Sequence, residues 1–159
     1  MNIVYVGDAQ DVIRRILTNH CAGNVEGSVL RRYVAEAMGY TLSYTLRLSG
    51  SKRIRINLPD PRRGEREISD YVCSGMWRYL VCQSKKEAHD LQWYTIAQLN
   101  PLLNRDIQPW DRGGRLRYQK LLKSLQRAEL LAWHELQRRQ SGPGVYVLYH
   151  QQLPVTKRM

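Results

Sequence analysis

Apolar and polar positions change period several times along the chain, and each change marks an element. Asn2 to Val6 is β-branched and aromatic and reads as a strand ending at Gly7. Asp8 then offers an N-cap for a helix over 9–20, with Val12, Ile16 and Leu17 on its inner stripe. A second helix follows over 28–38, stopped by Gly39. Residues 41–48 and 52–58 alternate as strands around Ser49-Gly50 and predict a hairpin. A helix near 65–75 and a strand near 77–82 come next. Residues 84–99 carry the clearest helical stripe, with Ala88, Leu91, Thr95, Ile96 and Leu99 on one face and Asn100-Pro101 as its end. A longer helix is expected over 115–139, and Val145 to Tyr149 reads as a last strand. The pattern predicts a single α/β (α+β) domain spanning 1–159, with a small, mostly antiparallel sheet flanked by helices. The hairpin near 41–58 and the basic helical segment near 115–139 would be elaborations on it.

Composition narrows the possibilities. The 159 residues hold no apolar run near the roughly 20 needed to cross a bilayer. The opening residues do not resemble a signal peptide. The three cysteines form no CxxC pair, which fits reduced thiols and a cytoplasmic protein. Charge adds more: 25 Lys and Arg against 14 Asp and Glu give a formal net charge of +11. A surface this basic points to a polyanion, with nucleic acid as the default partner. The candidate contact residues are Arg31 and Arg32; Lys52, Arg53 and Arg55 on the hairpin; and Arg112, Arg115, Arg117 and Lys120 near the later helix.

Common catalytic signatures are missing: there is no HExxH, P-loop or GxSxG, and the four histidines lack metal-ligand spacing. What remains is a pair of tyrosine strands and the helix after the first. Arg15 and Asn19, four residues apart, share a helical face off the apolar stripe. A phosphate held at this turn could meet Arg15, a tyrosine hydroxyl and the helix N-terminus.

Val4-Tyr5-Val6-Gly7-Asp8-Ala9, then Arg15, then Asn19-His20, resembles the second half of the GIY-YIG nuclease motif. Gly23 to Arg32 is similar to the stretch that follows in many bacterial members. Leu91-Gln92-Trp93-Tyr94-Thr95-Ile96 with Pro101-Leu102-Leu103-Asn104 is similar to the family's Leu-Glu…Pro-x-x-Asn block. The resemblance implies a metal-dependent endonuclease acting on DNA, double-stranded above all, with Mg²⁺ or another divalent cation as cofactor. It assigns Tyr5 and Tyr146 as the tyrosine pair and Arg15 to the phosphate. His20, or Asn19 in strict register, becomes the supporting polar group, Gln92 the metal position and Asn104 an ordering residue.

Two departures stand out. The family's Gly-x-Tyr strand lies at the far end, as Gly142-Pro143-Gly144-Val145-Tyr146, which suggests a circular permutation closed through 105–140. A strand exchanged between two copies is an alternative. At position 92 the family's glutamate is Gln92, a poor ligand for a hard cation. That fits an inactivated Glu-to-Gln variant, or a nucleic-acid-binding protein that has lost catalysis. A restriction enzyme acting as a homodimer is the role that economy of design suggests.

Overall fold

The structure, a computed structural model, describes residues 1–154. It begins with strand β1 (Asn2–Ala9), a single helical turn α1 (Val12–Arg14) and a π-helical turn (Arg15–Cys21). Helix α2 (Val29–Ala37), strands β2 (Leu42–Leu46) and β3 (Lys52–Ile56), helix α3 (Pro61–Cys73) and strand β4 (Met76–Val81) follow. Helices α4 (Lys85–Leu99), α5 (Arg115–Arg127) and α6 (Trp133–Leu136) lead to strand β5 (Gly144–His150). This is the α+β arrangement expected, and among the described residues no helix is long and apolar enough to cross a membrane.

The main sheet has the order β1-β5-β4, antiparallel throughout, while β2 and β3 pair separately. The last strand is therefore the central one, and every β5 residue is buried. Its side chains alternate between two cores. Tyr146 and Leu148 join Tyr5, Ile16, Leu30, Ile68 and Trp77 beneath the π turn, α2 and α3. Val145, Val147 and Tyr149 join Val6, Leu91, Tyr94 and Leu125 beneath α4 and α5. Burying an aliphatic side chain contributes about 1.5–3 kcal/mol, so a strand packed on both faces anchors the molecule.

Local chemistry explains several departures from the pattern. Strand β1 continues through Gly7 to Ala9, and Asp11 rather than Asp8 caps the next helix, accepting from the Arg14 N–H. Helix α3 starts at Pro61, where Asp60 accepts from Arg62 N–H and proline suits the first turn. The expected helix over 115–139 is broken. It ends at Arg127, and Leu131 instead exchanges two backbone hydrogen bonds with Trp77, at 2.7 and 2.8 Å. That bridge covers the outer edge of β4. Leu125, Ala132 and Leu136 keep helical spacing across the break, so periodicity alone hides it.

The outer edge of β1 is closed differently. Leu102 and Leu103 N–H groups donate to the Ile3 and Val4 carbonyls. Asn104 then imitates a strand, accepting from Val6 N–H at 2.9 Å and donating to Val6 C=O at 3.0 Å. Val6 is fully buried, so both backbone groups depend on this amide. We expect Asn104→Ala to lower stability by about 1–3 kcal/mol for each group left unpaired. Thermal unfolding of the variant checks this, and an unchanged midpoint would remove Asn104 from the edge.

Candidate active site

The antiparallel register of β1 and β5 places Gly7 opposite Tyr146. The Tyr146 ring and hydroxyl occupy the space that a Cβ at position 7 would need. Thus a glycine on one tyrosine strand makes room for the tyrosine of the other. Tyr5 lies beside them, its ring centroid 6.4 Å from that of Tyr146.

His20 completes the group. Its Nε2 is 2.6 Å from the Tyr146 hydroxyl and its Nδ1 is 2.7 Å from Ser28 Oγ. Ser28 is the N-cap of α2 and accepts from Arg31 N–H, so the cap that starts the helix also orients the histidine. Burial, with the Arg15 and Arg31 charges, pushes His20 down to about 3, so the ring is neutral at physiological pH. Burial also raises both tyrosines above their usual range, opposed in part by Arg15. The Tyr5 hydroxyl makes no hydrogen bond among the described residues, and the residue is 8% exposed.

The π turn settles which polar residue faces inward. Hydrogen bonds from residue i to i+5, such as Ala22 N–H to Leu17 C=O at 3.1 Å, bring residues five apart onto one face. Ile16 and Cys21 both enter the core, and the Arg15 charge lies within electrostatic reach of His20. His20 is 2% exposed, while Asn19 is only half-buried and makes no side-chain hydrogen bond to a described residue. Arg15 and Asn19 thus lie in a π-helical turn and not in the α-helix expected, both off its buried stripe. Arg15 itself is exposed and has no hydrogen bond or ion pair among the described residues.

Other candidates are more dispersed. Gln92 is 8% exposed on α4, which packs across β1 and β5, and its amide has no hydrogen-bond partner among the described residues. One turn earlier, His89 lies 3.6 Å from Asp8, whose carboxyl is raised by burial and lowered by that histidine. Arg31 is a correction. It is wholly buried, donating to His20 C=O, Ser69 Oγ and Glu65, and so ties the π turn to α3 and presents no surface to nucleic acid. Arg32 is half-buried against the Val25 and Glu26 carbonyls. Arg117 pairs with Glu87, and Arg112 lies over the Trp110 ring. Lys52, Arg53, Arg55, Arg115 and Lys120 are exposed. Sequence reasoning missed Ser28 as the histidine's partner and Tyr33, whose ring meets the edge of Tyr5 at 6.4 Å. Ser28 just after Gly27 has the residue type of a helix cap, a signal the sequence reading did not use.

Two tyrosines, a neutral histidine on one hydroxyl and an uncommitted guanidinium form a set suited to phosphate-ester chemistry. The family model described as the GIY-YIG catalytic domain matches residues 1–123, and the chain belongs to that family of nucleases. No match is found among curated proteins or among solved structures.

A Cβ at position 7 must push the Tyr146 ring off His20. Gly7→Ala should therefore lower stability by about 1–3 kcal/mol, the usual cost of overpacking. Thermal unfolding measures it; full tolerance would place the Tyr146 ring elsewhere.

Proposed function

We propose that this chain is a nuclease-type protein for double-stranded DNA whose catalytic power is withheld by Gln92. The observation that carries the reading is the Tyr146–His20–Ser28 chain of hydrogen bonds beside the free Tyr5 hydroxyl and the unpaired Arg15. With Nδ1–H donating to Ser28, Nε2 accepts from the Tyr146 hydroxyl. That leaves the tyrosine oxygen a lone pair with which to accept from an attacking water. Arg15 supplies positive charge for the phosphate, and the Tyr5 hydroxyl can donate to one of its oxygens. An anionic phosphate against Arg15 also offsets part of the field that depresses His20, so the ring becomes more basic when substrate is present.

Nucleases of this family generally depend on a divalent metal. The donor set of this chain does not fit one. Position 92 offers a neutral amide, and among the described residues no group of three His, Cys, Asp or Glu side chains could hold an ion. We therefore route no step through a metal in the chain as it stands. Restoring a carboxylate by Gln92→Glu supplies the missing charge.

The order of strands supports a permuted chain. The Gly-Val-Tyr strand is β5, after the matched residues 1–123, yet it pairs with β1 as the neighbouring strand of one tyrosine hairpin would. The same Gln92 favours a second reading, a binding module that has given up catalysis.

Cleavage separates the two readings. With Mg²⁺, Gln92→Glu should nick or cut duplex DNA, while the chain with Gln92 binds without cutting. Adding Arg15→Ala should slow cleavage by about 10²–10³-fold and weaken duplex binding far less, with Arg14→Ala near neutral. No cleavage by Gln92→Glu across a broad duplex panel would favour the binding module. Equal, small losses for the two arginines would remove Arg15 from the site.

A further inference from the structure

The hairpin β2–β3 has a division of labour that the catalytic reading does not use. Its register pairs Leu42 with Ile56 and Tyr44 with Ile54 on one face, and Ser43 with Arg55 and Thr45 with Arg53 on the other. Ile54 and Ile56 are buried in the core that also holds Tyr5 and Tyr146, so the ribbon is fastened to the catalytic side of the main sheet. Its opposite face, with two arginines facing two hydroxyl residues, is turned to solvent.

The arginines around this ribbon are not equivalent. Arg47 is committed to Glu26 and to the Lys52 carbonyl, where it holds the turn, and Arg62 is committed to Asp60. Arg53 and Arg55 make no hydrogen bond or ion pair among the described residues, although Arg55 lies within the electrostatic reach of Glu26. All four line an open groove of about 490 Å³ along β3, together with Glu26 and Asp60. Both of those carboxylates are paired, Glu26 with Arg47 and Asp60 with Arg62, so the uncommitted charge in the groove is that of Arg53 and Arg55. Arginine is the side chain that pairs with guanine at base edges.

We propose that the β2–β3 ribbon enters the major groove of duplex DNA and that Arg53 and Arg55 read base edges, guanine foremost. This rests on the reading of the chain as a protein for double-stranded DNA. The dimensions agree: the major groove, about 12 Å wide, admits a two-stranded ribbon. Residues two apart on a strand lie roughly 6.8 Å apart, which is about two base-pair steps at 3.4 Å each. Two guanidinium groups on one strand thus reach two base pairs that lie two steps apart, with one pair between them. Phosphate contacts then fall to the exposed Arg115 and Lys120 of α5.

The test selects bound sequences from a random duplex library, using the chain with Gln92 so that binding proceeds without cleavage. A guanine-containing site should emerge. Arg53→Ala and Arg55→Ala should each reduce the preference for that site over a scrambled duplex by about 5- to 150-fold, with little change on the scrambled duplex. Arg115→Ala should weaken both equally and lower the salt slope by about one. Selection of no preferred sequence, or equal losses on both duplexes for Arg53→Ala and Arg55→Ala, would overturn the ribbon's role while leaving duplex binding intact. Failure to bind any duplex would overturn the DNA reading itself, and the ribbon's role with it.

Discussion

The space left by the absent side chain of Gly7 is the constraint on which the site depends. Register sets Gly7 against Tyr146, and the phenol ring fills that space. Only then does its hydroxyl come within 2.6 Å of His20. Any larger residue at position 7 would compete with the ring for one volume. The central position of β5 makes this contact rigid, because cores on both of its faces fix the strand.

Around that contact the molecule places support rather than reactivity. Ser28 caps α2 and holds the far side of His20. Arg31 clamps the carbonyl of His20 to Ser69 and Glu65 on α3. A buried charge of this kind is costly unless its donors are matched; here both terminal nitrogens are, while Nε has no partner among the described residues. Asn104 stabilises β1 from its outer edge without touching the tyrosines. Among the described residues Arg15 and the Tyr5 hydroxyl stand outside this web, so a ligand's negative charge can claim the guanidinium without breaking an internal pair.

Much of this was legible in the chain. The two tyrosine strands, the hairpin and the α4 stripe with its Asn100 stop follow from alternation, turn chemistry and helical spacing. Three features were not. The π turn replaces the expected α-helix over 15–21, but an apolar interval of four followed by five between Val12, Ile16 and Cys21 is a faint signal within one short helix. The break after Arg127 answers the need of β4 for an edge partner, a tertiary demand that the continuing leucine spacing conceals. Arg31 counts as a surface charge in any composition argument, and only packing reveals that Glu65 and two carbonyls bury it. Residue types named the candidates; the register of β1 with β5 and the burial of His20 show which of them meet.

The neutral state of His20 in one tautomer tests this account most directly, because burial with the Arg15 and Arg31 charges keeps the ring neutral while the Tyr146 and Ser28 contacts fix which nitrogen holds the proton. Nitrogen NMR of the histidine side chains across pH reads the ring's charge and tautomer. The account predicts that His20 stays neutral from pH 8 down to about pH 4, consistent with its depression to about 3, with the proton on Nδ1. A midpoint near 6.5, the value of an unperturbed histidine, would contradict it and dissolve the hydrogen-bonded chain at the centre of the site.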